Sequence, residues 1–257
     1  MIRRLILITF LATSGAFAAI ALVDHTAGGP VTAGTPFTTT AINTTGATLL
    51  VVVRVDNTGN TLSTGISFDD KVGGISTGNI WRYLTAQTTG SPGTQVLISY
   101  SYNSAGGALV VGANHTFFGN PGGNTLSMAA SAWSGTKTSA DPFASVQNGA
   151  HTAASPGGAS SLATGNITPP SDGCLIISGT GVRSGTSYTS TLTLLDAVDW
   201  ITGQRTGIAH SYQIQTTATI VGTTWTIGSG GTDQISVAIA AFLPAAGSTI
   251  RRRWYGQ

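Results

Sequence analysis

Nine aspartates are the only acidic side chains in this 257-residue chain, which has no glutamate. Zinc hydrolysis by a His-Glu-x-x-His helix and zinc-dependent deamination both need a glutamate and are excluded. Gly74-Ile75-Ser76-Thr77-Gly78 fits the G-x-S-x-G pattern, in which a strand-to-helix turn thrusts serine towards a histidine and an oxyanion hole. Asp196 or Asp199, followed by His210, keeps the chain order of such a hydrolase. No helical periodicity follows Ser76, so the segment reads as a glycine-rich turn and the chain is expected not to be an enzyme. Asp69-Asp70 and Asp196/Asp199 offer carboxylates for glycoside hydrolysis or for calcium, but aspartates at loop ends more often hold turns together. Gly228-Ser229-Gly230-Gly231-Thr232-Asp233 resembles one turn of a calcium-binding repeat whose chemistry needs several stacked turns. His25, His115, His151 and His210 are too dispersed for metal-ligand spacing. The expectation is therefore no catalytic residue, no cofactor and no metal.

Two groups of residues remain as contact candidates. Trp81, Tyr83 and Trp200, with Trp225, present aromatic faces that either stack on a sugar or pack in a core. Arg251-Arg252-Arg253-Trp254-Tyr255 places three guanidinium groups beside two aromatics, suited to a partner's acidic patch or to a solvated tail. Three Asn-x-Thr sequons, at Asn43, Asn114 and Asn166, matter only in a glycosylating secretory pathway.

The elements that position these residues follow from composition. Charged residues are 8% of the chain, against about 25% in an average soluble domain, while hydrophobic residues are 41%. Met1–Arg4 carries two arginines, Leu5–Val23 is almost uninterruptedly apolar, and Ala16-Phe17-Ala18 suits a signal peptidase. This segment reads as a secretory signal, a short membrane anchor or a helix packed in an assembly. Without residues 1–18 the chain loses Arg3 and Arg4, leaving nine basic and nine acidic residues, so a general nucleic-acid binder is not expected. The single cysteine, Cys174, rules out an intrachain disulfide.

Beyond residue 23, apolar residues come in strand-length runs: 49–55, 96–102, 109–111, 126–133, 174–177, 208–214, 224–227 and 235–243. Gly, Pro and Asn clusters separate them, as in Asn120-Pro121-Gly122-Gly123. The runs repeat. Ser101-Tyr102 recurs as Ser211-Tyr212 and Val110-Val111-Gly112 as Ile220-Val221-Gly222, both at an offset of 110. Residues 124–133 match 233–242 at an offset of 109, and Leu49-Leu50-Val51-Val52 resembles Leu175-Ile176-Ile177-Ser178 near 126. Two related halves, about 38–135 and 160–243, are expected to close into one two-layer, jelly-roll-like β-sandwich over residues 24–243. A leader or anchor at 1–23 and a basic tail at 244–257 flank it.

The opening Leu49-Leu50-Val51-Val52-Val53 strand, Trp133-Ser134-Gly135, Asp141-Pro142-Phe143 and the strand-forming Cys174-Leu175-Ile176-Ile177 together resemble a group of β-sandwich proteins, jelly-roll or concanavalin-like. Members are encoded in phages, prophages and environmental bacteria. In that group the short motif usually reads Glu-Tyr-Ser-Gly, where this chain has Ala132-Trp133 before the Ser-Gly. The resemblance implies a virion or surface-structural role. The expected function is a non-enzymatic structural or display protein of a virion or cell surface, partnered by copies of itself or by other virion or surface proteins. Membrane contact is expected only through the N-terminal segment. The alternative is a secreted carbohydrate-binding or adhesive module that contacts glycan through Trp81, Tyr83 and Trp200.

Overall fold

A computed structural model describes residues 19–31, 34–56, 67–84, 86–88, 93–103, 107–122, 124–144, 149–151, 160–199, 201, 206–229 and 234–246. Among the described residues every regular element is a strand, and no helix is long and apolar enough to cross a membrane. The first half holds β1 (Ala21–Val31), β2 (Phe37–Thr38), β3 (Leu49–Asp56), β4 (Ser67–Val72), β5 (Ile75–Ser76), β6 (Arg82–Tyr83), β7 (Gln87–Thr88), β8 (Gln95–Tyr102), β9 (His115–Asn120) and β10 (Leu126–Ser134). The second holds β11 (Gly149–His151), β12 (Ser161–Ile167), β13 (Leu175–Val182), β14 (Thr186–Ser190), β15 (Thr193–Val198), β16 (Gly207–Ile214), β17 (Val221–Ser229) and β18 (Ile235–Phe242).

These strands form four antiparallel sheets. An inner sheet of the first half runs β1-β10-β3-β8-β6, with β7 also on β8, and its outer companion runs β2-β9-β4-β5. The second half repeats the plan with an inner sheet β11-β18-β13-β16-β15 and an outer sheet β12-β17-β14.

Alternation along the strands decides how the sheets stack. On β3, Leu49, Val51, Val53 and Val55 join a core with Leu175, Ile177, Ala238, Ala240 and Phe242, so the two inner sheets face each other. Leu50 and Val52 point the other way, into a core with Phe117 and against Phe37 and Phe68 of the first outer sheet. In the second half Ile176 and Ile239 pack on Ile167 and Val221, and Val182 and Val237 on Tyr188 and Trp225. The order is outer, inner, inner, outer: four layers in place of the two expected. The reason lies in β3, β13 and β18, where every residue is buried; a strand covered on both faces reads as a continuous apolar run. Each such aliphatic side chain contributes ~1.5–3 kcal/mol by burial.

The inner sheets approach closely because β13 carries Gly179 and Gly181 towards β3. A Cβ on Gly179 would lie 2.4 Å from Val53 Cγ1, and one on Gly181 2.5 Å from Val55 Cγ1. Glycine here removes the side chain that would hold the layers apart.

Strand register can be compared between the halves. Trp133 pairs with Leu49 and Phe242 with Leu175, so β10 and β18 correspond at the offset of 109 when β3 and β13 correspond at 126. The Ser-Tyr match shifts: Val51 faces Tyr100 and Ile177 faces Tyr212, an offset of 112 instead of 110. Ser-Tyr occurs twice on β8, and the two-residue difference leaves each side chain on the same face. Two expectations differ at the edges. Ala21–Val23, counted with the apolar leader, belong to β1, while residues 1–18 lie outside the described residues. Leu109–Val111 forms no strand, and Val110 is exposed.

Candidate functional site

Among the described residues an extended polar constellation lies inside the first half. Asp70 on β4 points inward, and its Oδ2 is 2.8 Å from His115 Nε2 on β9. Its carboxylate also accepts from Trp81 Nε1 at 2.8 Å and Asn79 Nδ2 at 2.7 Å. The other ring nitrogen, His115 Nδ1, is hydrogen-bonded to the Thr44 hydroxyl 2.8 Å away, and that hydroxyl also lies within donating distance of Gly112 O at 3.2 Å. Burial pushes the Asp70 carboxyl up, but the hydrogen bonds from His115, Trp81, Thr77 and Asn79 outweigh it and hold the group below the usual carboxylate range.

Hydroxyl, imidazole and carboxylate in line are the parts of a nucleophilic relay. Access decides against that chemistry: Thr44 and His115 are fully buried and Asp70 is 1% exposed. Thr44 Oγ1 also accepts from Gly112 N at 3.0 Å, and the His115 ring stacks on Phe117 at 4.9 Å. The network ties the 39–44 segment, β4, β9 and the loop after β5 together through direct side-chain contacts. Thr44 and His115 are 71 residues apart, and nothing in a threonine-rich sequence singles Thr44 out.

The residues read as a hydrolase are not brought together. Ser76 lies on β5 of the first outer sheet, donating to Asp69 Oδ1 at 2.9 Å, and Gly73, Gly74 and Gly78 in left-handed conformations make its surroundings a turn. His210 lies on β16 in the other half, between Ile208 and Tyr212 on the face towards the first inner sheet. It is fully buried and neither ring nitrogen has a hydrogen-bond partner; burial, with His25 nearby, pushes its pKa down to about 3. Asp196 on β15 instead pairs with His25 Nδ1 on β1 at 2.9 Å, bridging the halves, and burial raises its pKa more than His25 lowers it. Asp199 accepts from Ser187 N. Asp69 and Asp70, as neighbours on a strand, point to opposite faces and make no carboxylate pair.

Of the aromatic candidates, Trp81 is partly buried against Phe68 and held by Asp70, while Tyr83 is 43% exposed. Trp225 is fully buried and donates to Ser178 Oγ at 2.9 Å. Trp200 and the Arg251, Arg252, Arg253, Trp254, Tyr255 tail lie outside the described residues, as do residues 230–233 of the glycine-rich Gly228–Asp233 turn. Beneath Tyr83 the guanidinium of Arg54 lies over the Phe68 and Tyr83 rings at 4.7 and 5.1 Å, donating to Ser99 Oγ at 3.1 Å. Burial lowers its pKa to about 10. The π faces stand in for a counter-ion. Among the described residues no group of three or more His, Cys or Asp side chains could hold a metal ion. No family model, curated protein or solved structure matches the chain.

Proposed function

We propose that the chain is a non-enzymatic structural or display protein of a virion or cell surface that works through contacts between copies of itself or with other surface proteins. The observation that carries this reading is the strand order, repeated in both halves. Labelling β1–β5 and β8–β10 as eight successive strands B to I gives sheets B-I-D-G and C-H-E-F, the jelly-roll plan. β11–β18 follow it with one change, β15 lying beside β16. Each half is then a jelly-roll sandwich, and the molecule is a back-to-back pair of sandwiches. Jelly rolls recur in viral capsid and lectin domains, and the inference from fold to role is one of analogy.

Surface features agree with lateral contact. Ile75 on β5 and Ile80 in the loop after it are 76% and 68% exposed, and Asn79 binds the backbone of the exposed Val110. Ile220, which matches Val110 at the sequence offset of 110, is also exposed, so each half presents an aliphatic side chain to solvent. The polar constellations are meanwhile spent on internal hydrogen bonds. Light scattering and electron microscopy of the full chain test the reading. Regular multi-copy particles or arrays are expected; a stable monomer that binds a glycan on an array through Tyr83 supports the adhesive alternative and overturns it.

A further inference from the structure

At the end of the stack where the described residues begin and end, the described residues of the two halves border a trough of about 640 Å³. Its apolar walls are Ile20 ahead of β1, Ile214 at the end of β16, and Leu243, Pro244 and Ala245 after β18. That volume falls within the roughly 300–1,000 Å³ of small-ligand sites, which favour seams between structural units. A second hollow of about 380 Å³, bordered by Phe143, Ala144 and Pro170, adjoins it, and Lys137 and Leu243 stand in the wall of both.

Three charged side chains border the two hollows: Lys137, Asp141 and Asp172. Both carboxylates are engaged. Asp141 accepts from the Tyr100 hydroxyl at 3.0 Å and Phe143 N at 2.9 Å and pairs with Arg82 Nε at 3.3 Å. Asp172 accepts from Ala218 N at 2.6 Å. Lys137 is different: its backbone N–H is fixed to Leu243 O at 3.0 Å, yet among the described residues its ammonium is in none of the ion pairs. The combination is an apolar trough with a cation at its divide that makes no ion pair among the described residues.

From this we infer that the trough binds a long-chain carboxylate, its hydrocarbon along Ile20, Ile214, Leu243 and Pro244 and its carboxylate on Lys137. Removal of hydrocarbon from water supplies the affinity, and the half-buried lysine supplies orientation and the preference for an anion. The site does not depend on the assembly reading and would serve a monomer equally.

The test is calorimetric titration of the full chain with decanoate and with decanol, each below its aggregation concentration. Decanoate is expected to bind at least tenfold tighter than decanol. Lys137→Gln should erase that preference while leaving decanol binding intact, and Ile214→Trp should fill the trough and remove both. No binding of either probe, or equal binding of both by the unmodified chain, overturns the proposal. So does an intramolecular disulfide between Ser14→Cys and Ile214→Cys, which would show the chain's own leading segment occupying the trough.

Discussion

Replacing Gly179 by alanine probes the join between the two inner sheets directly. The added methyl would lie 2.4 Å from Val53 Cγ1, 3.2 Å from Cγ2 and 3.3 Å from Cβ. Val53 is fully buried and β-branched, so it has no free rotamer into which to retreat. Overpacking of this kind costs ~1–3 kcal/mol. Gly179 is not in the left-handed region, so alanine also recovers ~0.4–1 kcal/mol by restricting the unfolded chain. The net loss is then centred on about 1.3 kcal/mol, read as a urea midpoint lowered by roughly 0.5 M at a slope of about 2.5 kcal/mol/M. Gly107, where a Cβ meets nothing within 4 Å, is the control and should tolerate alanine. Adding Val53→Ala to Gly179→Ala should relieve the clash, giving a double-mutant coupling of about 1 kcal/mol or more. If Gly179→Ala is as harmless as Gly107→Ala, or the double mutant is additive, the inner sheets are not pressed together at this point and the four-layer stack is wrong.

His210 binds no proton in the folded chain until pH approaches about 3, whereas unfolded it titrates near 6.5. Its contribution is therefore fully present above pH 6.5 and falls as pH drops to about 3, by on the order of 5 kcal/mol in all. His210→Leu should flatten urea stability against pH across that window, and an unchanged slope rejects the assignment. Asp70→Ala strips His115, Trp81 and Asn79 of a shared acceptor and should cost about 3–5 kcal/mol by denaturant melt. Ser76→Ala, which removes one exposed hydrogen bond, should stay within about 0.5 kcal/mol. Cys174 is fully buried, so a thiol reagent should label it only at the rate of unfolding; prompt labelling in native buffer would contradict its place in the core.

The strands legible in the sequence are those of the middle layers. β3, β8, β10, β13, β16 and β18 carry apolar side chains on both faces, so each stands out as a run. The outer strands do not: β4 reads Ser-Phe-Asp-Asp-Lys-Val and β12 Ser-Leu-Ala-Thr-Gly-Asn-Ile, with one wet face and few large apolar residues. Of the outer strands only β17 was visible, through Trp225 and Ile227. Overlooking those layers leads to a single sandwich in place of four sheets. The Asp70 cluster was illegible for a different reason. Its members are common residue types brought together from positions 44, 70, 79, 81 and 115, and only the pairing of β4 with β9 makes them neighbours.

The apolar seam between the inner sheets bears on biosynthesis. When β10 leaves the ribosome, the row Leu49, Val51, Val53 and Val55 has no cover until β13, β16 and β18 follow. At translation speeds of about 5–20 residues per second, the roughly 110 residues from β10 to the end of β18 take on the order of 5–20 s. Throughout that interval the nascent chain displays a greasy, strand-shaped surface, so holding chaperones and slower elongation just after the first half should govern how much soluble product a cell recovers.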